Sequence, residues 1–539
     1  MKLIAQSENI EKFFANNYIY IDKTEYIYNL TKNYERVFFS RPRRFGKSLT
    51  LNTIGTLFEK GVDPYFKGTW IYDKWDQHKY PVLHLSFLKY STSDLTEFKR
   101  QLCLSIEKFA RNQKIEDIID DKEPNVFIGN LFDAMSDDQQ LVILIDEYDC
   151  QLTANINNPD LYEKFRTCIR QFYAALKGDN HIRFLAITGV TRLKDIAIFS
   201  VGSDIQDLSY NNAYAKLIGF SRAEIKSFYL DYLKLGVAYE NGKTPDAVTD
   251  SEIENLIDRM AEQYDGYCFD EFNANKVFST YSINSFLKDI YEKKTVRFGD
   301  YWYDVGGLPT ILMNYLKSHT LDLTKFQSSE IEVSYNDFVN PTSLLDINEN
   351  VLMCQTGYLT LKSEISRPFR IKLGPANREV ASALSSLLCE NFLNPDAVAS
   401  YYDAEDILQN RSAEEIISHL NSILASIPYD KYPVDNEPTL RALILMYLTG
   451  LKIDVRAEQN NAKGRSDILI NFTRRRLILE LKFSQSGKDA DRLLKDAVEQ
   501  IEAKEYGIET LGNREILKIA CVFDASKTQR KIVKAQVVT

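Results

Sequence analysis

The chain has 539 residues, of which 44% are apolar and 26% charged, and its formal net charge is −10. This length predicts three or four domains, and the composition is that of a globular protein, which excludes a disordered or fibrous one. The acidic balance argues against uniform coating of nucleic acid, although residues 463–539 carry 16 basic and 11 acidic side chains. A solvated surface explains that local excess as well as affinity for DNA does.

Cysteine and histidine spacing gives no sign of a disulfide framework or a zinc site. The seven cysteines occur singly, without a C-x-x-C pair, and the five histidines show no ligand spacing. The N-terminus lacks a basic segment followed by an apolar one, and no apolar run approaches the length of a membrane span. We therefore expect a cytoplasmic protein.

The first predicted elements precede residue 37. Residues 18–24 (YIYIDKT) alternate as a strand does, and residues 25–30 begin a helix that is capped near Asp22 or Thr24. Helix capping is the favoured role of the Asp-Lys-Thr segment, and packing on the nucleotide site described next is the alternative.

A short apolar strand, a basic loop and a helix then follow in the order that a phosphate-binding P-loop requires. The loop of residues 41–48 reads RPRRFGKS, and apolar positions in residues 49–58 recur at helical spacing. Backbone N–H groups would converge on the phosphates. Lys47 would reach the β- and γ-phosphates of ATP, and the Ser48 hydroxyl would bind Mg²⁺.

This loop departs from the usual G-x-x-x-x-G-K-[ST] pattern. Arg41 stands where the first glycine is expected, and Pro42 removes one backbone donor. A Lys-Ser helix start after an ordinary turn is the alternative interpretation. The predicted nucleotide contacts in this segment are Arg44, Phe45, Gly46, Lys47, Ser48 and Leu49.

Strands and helices alternate through the next hundred residues. Residues 80–87 and 182–190 have the pattern of buried strands, whereas residues 96–114 and 161–176 have that of amphipathic helices. This alternation predicts a doubly wound parallel sheet.

An apolar run that ends in two carboxylates marks a further strand. Residues 141–145 (LVILI) suit a strand buried on both faces, and Asp146 and Glu147 follow at its end. Asp146 would hold the Mg²⁺ shell and Glu147 would polarise the attacking water, as in a Walker B strand. A buried strand that runs into an acidic turn is the alternative, but the P-loop upstream favours the functional interpretation.

Two polar residues near the end of the strand at 182–190 extend the predicted site. Thr188 lies where a residue sensing the γ-phosphate would be, and Arg192 follows just beyond. An ordinary turn at the strand end is the alternative for both. Arg166 and Arg170 lie four residues apart on a predicted helix, where a solvated basic face explains them better than an arginine finger does.

The pattern becomes helical from residue 220 onward. Ser221 and Glu224 form a predicted capping box, and helices continue to residue 260. Residues 302–309 have the pattern of a glycine-rich linker turn, and residues 351–361 that of a strand pair.

The last hundred residues contain a predicted hairpin with paired polar side chains. Asp467 opens one strand, and Glu480 and Lys482 lie two residues apart on the next, so these two point to the same face. Asp467 and Glu480 would bind Mg²⁺, and Lys482 would orient or activate water and stabilise charge on a phosphate. An edge strand with a solvated Glu and Lys is the alternative. For a further carboxylate, Glu458 is favoured over Glu437.

Four segments resemble the AAA-ATPase-like proteins of bacteria. They are residues 20–24 (YIDKT), 41–49 (RPRRFGKSL), 146–149 (DEYD) and 187–190 (ITGV). These proteins carry a degenerate Walker A motif of this form, and many end in a domain of the PD-(D/E)XK nuclease superfamily. The resemblance covers essentially the whole chain. It implies ATP and Mg²⁺ as cofactors, and it adds Gln500, which stands in the Gln-Ile-x-x-Lys-x-Tyr setting of similar nuclease domains.

We therefore predict an α/β protein of four parts. These are a P-loop NTPase domain with a doubly wound parallel sheet (1–219), a helical lid or winged-helix-like region (220–330), a linker region (331–430) and a restriction-endonuclease-like α/β domain (431–539). The expected function is that of an ATP-regulated, Mg²⁺-dependent enzyme acting on DNA, with RNA as a less favoured substrate. The competing hypothesis is a nucleotide-dependent switch or scaffold whose last domain binds nucleic acid without cleaving it.

Overall fold

The computed structural model describes residues 1–5, 7–116, 118–193, 204–304, 311–312, 314–315, 331–366, 370–392, 401–427, 429, 433–450, 455–461, 464–472, 474–503 and 515–538. The chain forms two compact units, one of residues 1–319 with 332–380 and the other of residues 320–331 with 381–539. The domain boundaries placed at residues 219, 330 and 430 stay predictions.

A five-stranded parallel sheet forms the centre of the first unit, in the order β2-β3-β4-β1-β5. Its strands are β1 (Arg36–Ser40), β2 (Val82–Ser86), β3 (Leu141–Asp146), β4 (Ile182–Gly189) and β5 (Gln206–Asp207). Every residue of β1 and β3 is buried, as expected where helices cover both faces of a parallel sheet. Because parallel strands end at the same edge, the segments that follow β1, β3 and β4 meet there.

Seven helices accompany these strands among the described residues. They are α1 (Ile10–Ala15), α2 (Thr24–Asn33), α3 (Lys47–Lys60), α4 (Leu95–Gln113), α5 (Pro124–Asp133), α6 (Cys150–Ala154) and α7 (Pro159–Leu176). The predicted apolar face of α4 is confirmed, since Phe98, Leu102, Ile106 and Phe109 are all buried. The expected α/β fold with a parallel sheet is confirmed.

The strand predicted at residues 18–24 is wrong. Tyr18 forms only an isolated bridge with Leu3, and α2 begins at Thr24. The alternation instead reflects the burial of Ile19 and Ile21 in a segment without regular strand pairing. A period of two indicates which side chains are buried, but it does not supply a neighbouring strand.

A helical region follows, as predicted from residue 220 onward. Its helices are α8 (Arg222–Phe228), α9 (Leu230–Asn241), α10 (Asp250–Tyr264), α11 (Thr280–Lys293) and α12 (Tyr301–Asp304). The predicted capping box of Ser221 and Glu224 is confirmed. Buried side chains of α8 to α11 pack together in one hydrophobic cluster. The glycine-rich turn predicted at 302–309 is wrong for residues 302–304, which belong to α12, and residues 305–309 lie outside the described residues.

A small three-stranded sheet, ordered β6-β8-β7, lies further along the chain. The elements here are β6 (Ile331–Val333), α13 (Tyr335–Val339), α14 (Glu349–Thr356), β7 (Leu359–Leu361) and β8 (Ile371–Pro375). The strand pair predicted within residues 351–361 is wrong for its first half, because Val351 to Thr356 belong to α14, whose residues 350–356 are all buried. A short apolar run does not distinguish a buried helix from a buried strand.

The second unit contains a mixed five-stranded sheet in the order β13-β12-β11-β10-β9. Its strands are β9 (Val455–Asn461), β10 (Gly464–Asn471), β11 (Arg475–Ser484), β12 (Glu515–Asp524) and β13 (Lys531–Val538). The helices are α15 (Arg378–Phe392), whose start belongs to the first unit, α16 (Tyr401–Asn410), α17 (Ala413–Ala425), α18 (Glu437–Gly450) and α19 (Ala490–Ala503). The predicted hairpin is confirmed, since β10 and β11 are antiparallel.

No helix among the described residues combines the length and the apolar character that crossing a membrane requires.

Candidate nucleotide and nuclease sites

A cavity of about 550 Å³ lies in the first unit, at the loop between β1 and α3. Residues 43–50 line it, together with Glu147 from the segment that follows β3. Residues 217–220 and the start of α11 also contribute to its wall. The volume is in the range of pockets that hold small-molecule ligands and cofactors.

The loop enters α3 through a left-handed turn. Gly46 has a φ of 98°, a conformation that favours glycine, and α3 begins at the next residue. The N-terminus of a helix and the loop before it present N–H groups that bind anions. The predicted contacts Gly46, Ser48 and Leu49 all line the cavity. The N-terminus of α3 therefore borders the space in which an anion would bind.

The Lys47 side chain is buried and is bonded to its own loop. Its ammonium group donates to the carbonyl oxygen of Arg41 at 3.0 Å and to that of Pro42 at 3.2 Å. An ammonium group carries three donors, so these two bonds fix Lys47 beside the cavity and leave capacity for a phosphate oxygen.

Arg41, which replaces the first glycine of the usual pattern, is 1% exposed and does not line the cavity. Its guanidinium donates to the carbonyl oxygens of Ser40 at 2.8 Å and Ser209 at 2.6 Å. It also lies 4.1 Å from the ring centroid of Phe269, a cation–π geometry. Burial lowers the pKa of Arg41 to about 10, so the group stays charged at neutral pH. Arg41 therefore holds the start of the loop through these bonds and does not occupy the cavity.

The two residues before Gly46 are held by the helical region. The Arg44 guanidinium lies 4.3 Å from the ring centroid of Tyr281, the second residue of α11. Phe45 is 1% exposed, and its ring packs edge-on against Tyr267 at a centroid distance of 4.7 Å. The ring of Phe45 is thus engaged in packing, and the predicted contact with a nucleotide at this position would fall to its backbone.

Asp146 and Thr188 are joined at the ends of β3 and β4. The Thr188 hydroxyl donates to Asp146 Oδ1 at 2.6 Å, and both side chains are buried. Thr188 thus orients the Asp146 carboxylate at the end of the neighbouring strand. It does not line the cavity wall itself.

Glu147 lines the cavity in a strained backbone conformation. Its φ is 53°, which is uncommon for a residue other than glycine and costs on the order of 1 kcal/mol. Burial raises the pKa of its carboxyl group, whereas the cations of Lys47 and Arg43 lower it and the neighbouring Asp149 raises it. A carboxyl group with a raised pKa beside two cations has the properties of a general base.

Sequence reasoning gave no role to Tyr148 and Asp149, which fix the loop after β4. The Asp149 carboxylate accepts from the backbone N–H of Thr191 and from its hydroxyl, each at 2.6 Å. The Tyr148 hydroxyl donates to the Thr191 carbonyl at 3.2 Å. The signal was present, since both belong to the DEYD string directly after β3.

The structure does not bring Arg192 into the cavity wall. Its guanidinium forms an ion pair with Asp207 and donates to the Val339 carbonyl oxygen at 3.0 Å. The predicted contact between Arg192 and a nucleotide therefore finds no support in this arrangement, because the side chain is already engaged with β5.

The Asp-Lys-Thr segment lies between the start of α2 and the cavity wall. Asp22 Oδ1 accepts from the N–H of Thr24, the first residue of α2, at 2.9 Å, whereas the N-cap residue Lys23 makes no side-chain capping bond. Tyr20 and Lys23 line the cavity. The Lys23 ammonium also forms an ion pair with Glu224 at 2.6 Å, so this segment joins the cavity wall to the helical region.

The second candidate site lies on β11 and α19 of the second unit. Lys482 Nζ is 3.2 Å from Glu480 Oε1 and donates to Gln500 Oε1 at 2.9 Å. Glu480 is fully buried. Burial by itself would lower the pKa of Lys482, but the carboxylates of Glu480 and Glu437 together hold it above its ordinary value. The structure thus brings together three of the predicted residues.

Asp467 belongs to the same face of the sheet. Its neighbour Ile468 pairs with Leu479 across the hairpin, so Asp467 falls opposite Glu480 in this antiparallel register. Asp467 Oδ1 accepts from Arg441 at 2.9 Å, and Oδ2 accepts from the Leu481 N–H at 2.8 Å. Sequence reasoning missed Arg441, whose only signal is its place on the apolar helix α18.

Glu437 is the additional carboxylate that the described side chains support. It stands at the start of α18, and burial raises the pKa of its carboxyl group, with Asp467 raising it and Lys482 lowering it. The sequence favoured Glu458, whose side chain lies outside the described residues. The second site therefore has two carboxylates on the hairpin, those of Asp467 and Glu480, and a third, that of Glu437, at the start of α18.

Both sites offer oxygen ligands, which Mg²⁺ prefers. At the first site, the Ser48 hydroxyl lines the cavity and the Asp146 carboxylate ends β3, so both offer oxygen atoms that fit the ion. At the second site, Asp467 and Glu480 offer carboxylate oxygens that fit the ion, and Asp467 already accepts bonds from Arg441 and from the Leu481 N–H. Among the side chains that the structure describes, no group of three or more His, Cys, Asp or Glu residues is placed to hold a metal ion.

A parallel sheet whose first strand leads through a left-handed glycine into a cavity-lining helix start is typical of P-loop ATPases. Residues 7–199 match the family model described as a predicted AAA-ATPase, and residues 435–533 match that of the PD-(D/E)XK nuclease superfamily. The chain therefore carries a segment of each family, and the resemblance noted in the sequence is confirmed.

A curated protein resembles most of the chain. It is an uncharacterized protein in the vnfD 5' region of Azotobacter chroococcum mcd 1, 27% identical over 485 residues. The match covers 87% of this chain and 86% of that protein.

Proposed function

We propose that this protein binds and hydrolyses ATP in its first unit and that this regulates Mg²⁺-dependent cleavage of DNA by its second unit. The observation that carries the proposal is the convergence of the loop at residues 43–50 and Glu147 on one cavity. The PD-(D/E)XK match and the contact among Glu480, Lys482 and Gln500 support the second activity.

In the proposed ATPase, the chain positions phosphate and water around the cavity. Lys47, held by two loop carbonyls, would bind a phosphate oxygen, and Glu147 would accept a proton from the attacking water. Arg43 would add a second positive charge beside the phosphates. Magnesium bound with ATP neutralises charge on the phosphates, and Ser48 and Asp146 are the residues that would hold it.

In the proposed nuclease, the residues of β11 act on one phosphate. Lys482, kept protonated by Glu480 and Glu437, would stabilise the charge that grows on the phosphate, and Gln500 would hold its ammonium in place. Asp467 and Glu480 would hold the ion, whose chemistry is to activate water and polarise the phosphate.

One observation favours the competing function, in which the second unit binds nucleic acid without cutting it. Asp467 forms an ion pair with Arg441, and both side chains are largely buried at 10% and 13% exposure. A carboxylate held by a buried guanidinium is a weaker ligand for a cation, because its charge is already compensated.

Nucleotide binding is tested with Lys47→Ala. We expect the affinity for ATP to fall by about 10- to 100-fold, since charge-assisted hydrogen bonds contribute roughly 1.5–3 kcal/mol each. Lys60→Ala at the other end of α3, which removes an exposed ion pair with Glu11, is the matched control. Equal affinity of wild-type and Lys47→Ala protein in calorimetry would exclude this loop as the nucleotide site.

Cleavage is tested on linear, circular and single-stranded DNA and on RNA, each with Mg²⁺ and with or without ATP. We expect Lys482→Ala to abolish cleavage, whereas Lys495→Ala, an exposed lysine of α19, leaves it unchanged. Retention of every nucleic acid intact by the wild-type protein would reject the nuclease in favour of the binding function. If the protein cleaves RNA and none of the DNA substrates, the substrate of the proposed nuclease is RNA and not DNA.

A further inference from the structure

Two successive carbonyl groups of the phosphate loop are bonded to residues outside it. The Arg43 carbonyl oxygen accepts from the indole N–H of Trp302 at 3.4 Å. The Arg44 carbonyl oxygen accepts from the Thr280 hydroxyl at 2.9 Å and from the Tyr281 N–H at 3.4 Å. Both carbonyls are therefore held on the side of the helical region.

These bonds also orient the N–H groups of the loop. A peptide unit is planar and trans, so the C=O of one residue and the N–H of the next point in opposite directions. Holding the carbonyls of Arg43 and Arg44 on one side turns the N–H groups of Arg44 and Phe45 to the other. Arg44 adopts a φ of 68°, which is uncommon for a residue with a side chain, so the bonds also stabilise a strained conformation.

A single buried carboxyl group joins the two sets of donors. Glu379, at the start of α15, is fully buried. Its Oε1 accepts from the backbone N–H of Trp302 at 2.8 Å, and its Oε2 accepts from the Ser282 hydroxyl at 2.7 Å. Trp302 contacts Arg43, and Ser282 lies in the first turn of α11, whose start contacts Arg44.

We infer that Glu379 is a positioning residue for nucleotide binding, acting through Trp302 and α11 on the N–H groups of the phosphate loop. This inference rests on the proposed nucleotide site, since it assigns a supporting role to a residue more than 300 positions away in the sequence. Glu379 does not line the cavity, so any effect on the ligand passes through the loop.

The ionisation of Glu379 supplies a readout that a merely structural role would not move. Burial raises its pKa to about 8, and Asp300 adds to the rise, whereas the bonds from Trp302 and Ser282 lower it. Tyr264 and Tyr267 are the other titratable groups that face this carboxyl, and burial holds the pKa of each above its usual range. As pH rises through about 8, Glu379 becomes ionised, and the bonds that it accepts from Trp302 and Ser282 strengthen, because a charged acceptor forms stronger hydrogen bonds than a neutral one.

The test measures ATP affinity by calorimetry with Mg²⁺, on the full chain, between pH 7 and 9. We expect Glu379→Ala and Trp302→Phe each to weaken binding by about tenfold, as the loss of one ordering hydrogen bond predicts. Glu379→Gln keeps a carbonyl for the Trp302 N–H and an amide donor for Ser282, so it should retain wild-type affinity. Above pH 8, where we expect the wild-type affinity to rise, the affinity of Glu379→Gln should stay unchanged, because an amide does not ionise.

Arg378→Ala is the matched control, because its side chain is 58% exposed and pairs with Glu262 at the surface. Trp302→Phe keeps an aromatic ring, so it decides the question if Glu379→Ala fails to fold. Wild-type affinity in both variants would overturn the inference and leave the proposed function standing. Failure of the wild-type protein to bind ATP would overturn the proposed function and the inference with it.

Discussion

Gly189, the last residue of β4, lies against the ring of Tyr148. A Cβ atom on Gly189 would fall 2.4 Å from Tyr148 Cδ1 and 2.8 Å from Asp149 Oδ1. Tyr148 cannot easily move away, since it is fully buried and packs edge-on against Phe38 at a centroid distance of 5.4 Å. The close approach therefore fixes how the segments after β3 and β4 meet.

Gly189→Ala should destabilise the first unit. We expect the free energy of unfolding to fall by about 1–3 kcal/mol, the usual effect of forcing an extra carbon into a packed core. Urea denaturation followed by circular dichroism measures it. Gly129→Ala is the control, because a Cβ there meets no described atom within 4 Å and α5 should gain slightly from alanine. Equal effects of the two substitutions would show that Tyr148 yields without strain.

Thr188→Val should remove the bond that orients Asp146. The substitution keeps the shape of the side chain but deprives a buried carboxylate of a donor, which costs about 1–3 kcal/mol of stability. Thr56→Val removes the bond from the Thr56 hydroxyl to the Asn52 carbonyl. This carbonyl keeps its helical backbone partner, so the loss of stability should be smaller. Denaturation midpoints measure the stability of both variants. If Thr188→Val loses less stability than Thr56→Val, the bond between Thr188 and Asp146 does not stabilise the fold.

Arg43→Gln should shift the pH dependence of ATP hydrolysis. Burial holds the pKa of Glu147 above its ordinary value, and the cations of Lys47 and Arg43 oppose that rise. Removing Arg43 therefore raises the pKa further. Because Glu147 must be ionised to accept a proton, the acid limb of the rate profile should move to higher pH. The same substitution at Arg44, whose guanidinium stacks on Tyr281, should leave that limb in place. An unshifted limb in Arg43→Gln would exclude Glu147 as the titrating base.

Glu437→Gln should lower the pKa of Lys482. Burial already favours the neutral amine, and the carboxylates of Glu480 and Glu437 are what hold the ammonium form. The pH dependence of acetylation at Lys482, followed by mass spectrometry, should move to lower pH in this variant. Glu499→Gln, on the exposed face of α19, provides the comparison. If the pH dependence of acetylation is the same in Glu437→Gln as in the wild-type protein, the Glu437 carboxylate does not raise the pKa of Lys482.

The sequence by itself determined the elements whose signals are local. Apolar runs identified β1, β3 and β4, glycine followed by lysine and serine identified the start of α3, and a spacing of two placed Glu480 and Lys482 on one face. Each of these inferences depends on residues close together in the chain, where backbone periodicity fixes the direction of the side chains.

Only the tertiary structure decided which distant residues complete each site. Trp302 donates to the Arg43 carbonyl from more than 250 residues away, and Glu379 bonds to Trp302. Arg441 donates to Asp467, which the sequence had assigned to a metal. Arg192, predicted from its place just beyond β4 to contact the nucleotide, instead pairs with Asp207. Such contacts depend on how helices and sheets pack, and one-dimensional spacing carries no information about packing.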